Sequence, residues 1–513
     1  MKTPASGKDG NSTAMEGASG TGTNPGEASA TRTSLGEASA SGTNMGAAAI
    51  SAEAIAALGE VVLDWRHKAA PATARGTSAR DFVRSGKSLA DLQTPLLTLD
   101  AGALQDNADH LARWCEKHGI LLAPHGKTTM APQLWAEQLK RGAWGITLAN
   151  FAQLRVAREF GVRRLMLANS LTDPHAIVWT AAQSSPEAPI LSWVDSVATV
   201  RLLDQALGEH KLTKPDLEDG TPQDGVRQDG VRQDGIHEQG MDRTAVLDVL
   251  VEVGGLGGRT GARGFAAAME VAHAVVASRH LRLVGVSGYE GSLAHTAEPQ
   301  ALASVRNFLI EMKMVHQELL AGNLYPPGVP VMLTAGGSAY FDTVADVLGK
   351  CITTGTPETG GRRVDLVLRS GAYIIHDDGF YRQISPFSRH GDQPFRPGMH
   401  GWARVVSQPE PGLAILDAGK RDVPVDEGLP IPRAIGPGLG GPMRPLQEAS
   451  ITAVNDQHCF MRFDPAAISV QPGDVVRLGL SHPCTAFDKW TLIPVLADTE
   501  GDPSVVDLVH TFF

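Results

Sequence analysis

Residues Thr94–Met130 read TPLLTLDAGALQDNADHLARWCEKHGILLAPHGKTTM, and the alternation within them decides the fold. TPLLTLD predicts a strand after a turn-setting proline. From Ala101 to His118, Leu104, Ala108, Leu111 and Trp114 recur on one helical face. A second apolar run, Ile120 to Pro124, then stops abruptly at His125, Gly126 and Lys127. The same rhythm predicts strands at Trp144 to Thr147, Arg164 to Ala168, Ile190 to Val194, Val246 to Val253, Leu281 to Ser287, Val331 to Thr334 and Val364 to Leu368, with helical patterns between them. Strand-like runs near eight in number, alternating with helices, predict a (β/α)8 TIM barrel rather than an open sheet.

Outward from that core the composition changes. Residues 1–48 are built from Gly, Ala, Ser and Thr, with GEASA occurring twice; such a stretch has little to bury and predicts disorder. Residues 49–93 predict a helix from Ser51 to His67, on the spacing of Ile55, Leu58, Val61, Val62 and Trp65, and then a connecting loop. The barrel is expected over 94–380, interrupted at 209–243 by polar repeats of DGVRQ that read as a flexible surface insertion. Across 381–513 helical periodicity fades, Pro and Gly become dense, and short apolar runs predict a C-terminal, mostly antiparallel β-domain.

The chain has 513 residues, 42% of them apolar, enough for a large core, and a formal net charge of -11. That charge disfavours nucleic acid or an anionic membrane surface as partner and leaves small molecules. Four dispersed cysteines (Cys115, Cys351, Cys459, Cys484) make no disulfide scaffold. With no apolar leader after Met1 and no run of roughly 20 apolar residues, a cytoplasmic protein is expected.

In a barrel the working groups stand where strands end. Lys127 is placed there, and an amine at the mouth of a buried strand meets the first requirement of Schiff-base chemistry. A surface lysine in a turn is the plainer reading of those ten residues alone. Glycines follow strands closely in EVGGLGGRTGAR (Glu252–Arg263), TAGGS (Thr334–Ser338) and RSGAY (Arg369–Tyr373). Backbone amides at such turns can approach an anion, and the last two together predict a phosphate cradle. A dinucleotide fingerprint fails, because counting from Gly255 and Gly257 lands on Thr260. Far along the chain, His482 and Cys484 in LSHPCTAFDKW (Leu480–Trp490) are one residue apart. On an extended segment they point the same way, so an imidazole and a thiolate can meet one zinc ion with positions left open. His376, Asp377 and Asp378 read as a turn.

In combination, TPLLTLD, PHGKTTMAPQLWAEQLKRGAWGITLANFAQL, the GGS and SGAY turns and the terminal HPC resemble the D-serine dehydratase and D-threonine aldolase family of fold-type III pyridoxal 5'-phosphate (PLP) enzymes. The resemblance implies an alanine racemase-like barrel, a C-terminal β-domain and a homodimer. It implies that Lys127 carries the cofactor as a Schiff base, that Gly336, Gly337, Ser338, Gly371 and Tyr373 hold its phosphate, and that Arg259 and Tyr289 face its ring. His482 and Cys484 would bind zinc or another divalent cation. The family's dehydratases carry His-x-Cys and its aldolases His-x-Asp, so HPC implies α,β-elimination of a 3-hydroxy-D-amino acid to a 2-oxo acid and ammonia. The alternatives are a D-threonine aldolase-type cleavage and a non-catalytic PLP-binding protein. One departure stands at Thr129, a position that is often His in the family.

Overall fold

The computed structural model describes residues 49–209, 246–355 and 361–513; the tracts read as 1–48 and, beyond Glu209, as the repeat insertion lie outside them. The opening stretch forms β1 (Leu96–Asp100) and α1 (Ala101–His118), with Asp100 as N-cap: Ala103 N–H donates to Asp100 Oδ1 at 2.9 Å. Gly119, at φ +63, ends the helix in the left-handed conformation that a glycine adopts without strain.

Parallel strands β2 (Leu121–Leu122), β3 (Ile146–Leu148), β4 (Leu165–Ser170), β5 (Ile190–Val194), β6 (Leu247–Gly254), β7 (Leu281–Gly288), β8 (Val331–Ala335) and β9 (Arg363–Leu368) follow one another around a barrel. The seam is closed by β2. On one side Leu121 and Leu122 pair with Val367 and Leu368 of β9. On the other, Trp144 N–H donates to Leu122 O at 2.7 Å and Thr147 N–H to Pro124 O at 2.9 Å. All eight residues of β6 are buried, as expected for a parallel strand covered on both faces. Inside, Trp144, Met166, Trp193, Leu250, Val284, Met332 and Val367 pack into one cluster, so the barrel is filled and not a pore.

The C-terminal part forms β10 (Met399–Glu410), β11 (Leu413–Leu416), β12 (Ile431–Gly436), β13 (Ala449–Val454), β14 (Cys459–Phe463), β15 (Val475–Gly479), β16 (Leu492–Leu496) and β17 (Val505–His510). Its main sheet has the order β12-β15-β10-β1-β16-β17 and is antiparallel except for β1 against β16. The strand read as the first of the barrel therefore belongs to the other sheet. Leu96 to Asp100 are buried throughout, a pattern that fits either sheet, and pairing with β10 and β16 decides between them.

Near the start, the helix expected over Ser51 to His67 is short. An α-helix covers Ala52–Ala57, a 3-10 turn ends at Glu60, and Val61 is already extended. Trp65 is 81% exposed, so the apolar spacing there marks no buried face. The expected loop also contains a helix at Ala79–Arg84, capped by Ser78.

The barrel wall leaves no room at Gly285, where an added Cβ would lie 1.9 Å from Met332 O on the neighbouring strand. Gly285→Ala is expected to lower the unfolding free energy by about 1–3 kcal/mol through overpacking; a denaturant midpoint equal to that of the parent would contradict this β7–β8 approach.

Candidate active site

A cavity of about 280 Å³ opens at the C-terminal ends of the barrel strands. Its floor is Trp193 at the end of β5, and its walls come from the segments after β2, β6, β7, β8 and β9. Tyr381, His482 and Cys484 enter from beyond the barrel. A second cavity of about 400 Å³ adjoins it and runs outward past Tyr340, His295 and Glu427. Lys127, Arg259, Tyr289, Tyr381 and His482 line both.

The barrel seam places Lys127. After β2, His125 still bridges to Thr147, and Gly126–Thr128 make one 3-10 turn that lifts Lys127 into the cavity. Its amine has no hydrogen-bond partner among the described residues. Burial, with Lys127 and Arg369 nearby, holds the His125 imidazole well below its ordinary pKa, so it stays neutral beside the lysine. The His125 Nδ1 is buried without a partner.

The glycine turns behave in two ways. At Gly371 the backbone approaches the lysine loop so closely that a Cβ would lie 2.4 Å from His125 O. At β8, however, the two amides assigned to phosphate are already engaged: Gly336 N–H donates to Glu290 Oε2 at 3.0 Å and Gly337 N–H to Glu290 Oε1 at 2.8 Å. Glu290 is fully buried. The expected cradle is corrected accordingly: Gly336, Gly337, Ser338 and Gly371 all line the cavity, but the amides of Gly336 and Gly337 are taken by Glu290. Tyr373 is a second correction. It is 2% exposed, lies away from the cavity, and its hydroxyl accepts from Gln138 Nε2 at 3.2 Å in the core behind α1. The 3-10 turn Ala372–Ile374 rotates it inward.

Tyr289 and Arg259 come together, the guanidinium lying 4.6 Å from the ring centroid. Burial, then the Glu290 carboxylate, pushes the Tyr289 phenol up, so it remains an O–H donor. Two buried wall residues were not singled out from sequence. Arg369 donates to Gly288 O at 2.6 Å and to Thr334 Oγ1 at 2.8 Å, and sits 5.5 Å over the Trp193 ring. Glu252 accepts from Thr260 Oγ1 at 3.1 Å and keeps Oε2 unpartnered; burial raises its pKa. Their signal was a charge ending an apolar strand, which also marks ordinary ion pairs.

His482 and Cys484 both reach the cavity, but not on an extended segment. His482 has φ +58, and Cys484 opens the short helix Cys484–Phe487. Asp426 Oδ2 lies 2.5 Å from His482 Nδ1, so the carboxylate engages that ring nitrogen. Burial works against the charged imidazole, yet Cys484 and Asp426 outweigh it and raise His482 to about 9. For the Cys484 thiol burial acts upward, while His482, Thr128 and Lys127 bring the net shift down. The thiol donates to Thr128 Oγ1 at 3.4 Å, beside Lys127. Among the described residues no group of three or more His, Cys, Asp or Glu side chains is gathered for an ion. An imidazole and a readily ionised thiol, with a carboxylate orienting the imidazole, nevertheless form a donor set suited to a soft divalent ion with open positions. The unengaged Lys127 amine, Ser338 and His125 Nδ1 fit a phosphorylated aldehyde in the same way.

Residues 398–496 match the serine dehydratase domain family. The sequence is 24% identical to a D-threonine aldolase of an Arthrobacter species over 83% of this chain and 94% of that one. A 3-hydroxy-D-aspartate aldolase of Paracoccus denitrificans is 23% identical over 67% of this chain and 76% of its own. Among solved structures, D-threonine aldolase from Filomicrobium marinum superposes with a TM-score of 0.60 at 21% identity, covering 82% of this chain and 97% of that one. D-threo-3-hydroxyaspartate dehydratase from a Delftia species gives 0.60 at 19%, covering 83% and 99%. Variants of a D-threo-3-hydroxyaspartate dehydratase with a His or, two positions on, a Cys changed to Ala are also solved, the latter in a metal-free form. An alanine racemase-like protein of Idiomarina loihiensis shares the fold with a TM-score of 0.56 at 14% identity, covering 81% of this chain and 97% of that one. The fold is the alanine racemase-like barrel with a β-domain. Over most of its length the chain is similar to D-threonine aldolase and D-threo-3-hydroxyaspartate dehydratase, and its residues 398–496 to the serine dehydratase domain.

Because Glu290 is buried and holds the Gly336 and Gly337 amides, Glu290→Ala leaves two donors unpaired. It is expected to lower the unfolding free energy by about 2–3 kcal/mol; a chemical-denaturation curve superimposable on the parent's would remove that anchor.

Proposed function

We propose that the protein is a PLP- and zinc-dependent lyase that dehydrates a 3-hydroxy-D-amino acid, in the manner of D-serine dehydratase, to a 2-oxo acid and ammonia. One observation supports this above the rest: Cys484 meets Thr128, the neighbour of Lys127, so the amine and the His-x-Cys pair line one cavity. A D-threo-3-hydroxyaspartate dehydratase was solved in a metal-free form as a Cys-to-Ala variant, that Cys lying two positions after a His also changed to Ala, and this is the spacing of His482 and Cys484.

Lys127 would hold PLP, with Ser338 and Gly371 toward its phosphate and Tyr289 and Arg259 beside its ring; His482 and Cys484 would hold the divalent ion. When bound, PLP supplies an electron sink at Cα and the ion a Lewis acid for the β-hydroxyl. Lys127 Nζ, once free of the cofactor, is the base placed to take the α-proton and to return a proton to the leaving oxygen. The neutral His125 keeps a second cation from crowding that amine. Asp426 orients the imidazole through Nδ1. Trp193, packed on the apolar cluster that fills the barrel, closes the cavity from below. A homodimer in the cytoplasm, with a small-molecule substrate and neither nucleic acid nor membrane as partner, completes the proposal; among the described residues no helix is long and apolar enough to cross a membrane.

The relatives named as aldolases favour a second reading, retro-aldol cleavage at the same residues. D-threonine separates the two, giving 2-oxobutanoate and ammonia by elimination but glycine and acetaldehyde by cleavage; the first pair of products is expected. Lys127→Ala is expected to lose the visible absorbance of the PLP-loaded protein together with all turnover, and a variant that stays yellow and active would sink the role given to Lys127. Chelation is expected to stop ammonia release while the absorbance persists. Full activity in chelator, with no ion bound, would refute the part assigned to His482 and Cys484.

A further inference from the structure

We propose that Asp377 is the positioning residue of this site, a single buried carboxylate that sets where His482 and Tyr381 stand. This rests on the reading of His482 and Cys484 as holders of a divalent ion. Asp377 is 0% exposed. Its Oδ1 accepts from the amides of Gly379 at 3.1 Å, Tyr381 at 2.9 Å and Arg382 at 3.4 Å, while its Oδ2 accepts from the amide of His482 at 2.9 Å. Both oxygens are thus directed at backbone N–H groups, so Asp377 is not itself an ion ligand. It ties the turn after the barrel to the segment that carries the His-x-Cys pair.

The two segments are pressed together independently of that carboxylate. Asp378 N–H donates to Leu480 O at 3.0 Å, and a Cβ at Gly379 would lie 1.7 Å from Ser481 Oγ. What they leave undetermined is the backbone at His482, whose φ of +58 lies in the left-handed region. A non-glycine residue there costs of order 1–3 kcal/mol and persists where its surroundings hold it. The His482 amide is held by Asp377, and the His482 ring by Asp426. The other arm of the carboxylate fixes Tyr381, which lines both cavities together with Tyr289 and His482. One side chain therefore registers the ion-facing imidazole against a cavity wall more than one hundred residues away in sequence.

Asp377→Asn tests this with zinc alone. Its amide presents donors where one set of N–H groups needs an acceptor, so one arm is broken with little change of volume. In the full-length, PLP-loaded, metal-stripped protein, a zinc titration is expected to show affinity weakened by about 10–100-fold, as for other groups that orient metal ligands. The PLP absorbance and far-UV circular dichroism should stay unchanged. Zinc affinity equal to the parent's overturns the proposal. So does a variant that fails to fold or loses PLP along with zinc, because the carboxylate would then serve the whole fold and not the placement of His482. A parent that binds no zinc overturns the reading of His482 and Cys484, and this inference with it, which distinguishes the two failures.

Discussion

The barrel closes on a strand of two residues, and the active site depends on that closure. Leu121 and Leu122 hydrogen-bond β9 on one side while Leu122 and Pro124 accept from the β3 segment on the other. Parallel strands have no edge to spare in a barrel, so the backbone leaving β2 is held on both flanks up to His125. Lys127 is therefore presented by a segment that cannot drift. The approach of Gly371 to His125 O pins the same loop from the next strand round.

A second constraint brings the distant half of the site to that lysine. β1 precedes the barrel in sequence but lies in the middle of the β-domain sheet, between β10 and β16. A central strand cannot leave without breaking two ladders, so the start of the barrel and the C-terminal sheet are joined side by side. The loop between β15 and β16 then meets the lysine turn, with Cys484 against Thr128. This double attachment brings His482 and Cys484 to the cavity that Lys127 lines, from parts of the chain that share no local sequence signal.

Charge at the site is managed by burial as much as by pairing. His125 is kept neutral, Arg369 is held by Thr334 and the Gly288 carbonyl, and Glu290 is held by two amides. The cations left to the cavity are then Lys127 and Arg259, with His482 beside them in its lining. Such a surface suits an anionic ligand.

The apolar rhythm from Ile120 to Leu368 was enough to read a filled parallel barrel, and the position of Lys127 after a strand, the glycine turns and His-x-Cys were enough to pick out residues that line one cavity. These are local properties: side-chain period, strand ends and ligand types. What they did not contain was pairing. That β1 sits in the other sheet, that Tyr373 turns inward to Gln138, that Glu290 takes the Gly336 and Gly337 amides, and that His482 stands in a left-handed conformation all depend on partners tens to hundreds of residues away. The sequence by itself determined which elements form and which atoms are offered at their ends. Only the tertiary structure decided which offered atoms stay free for a ligand, because a buried donor or acceptor bonds to whatever the packing brings beside it.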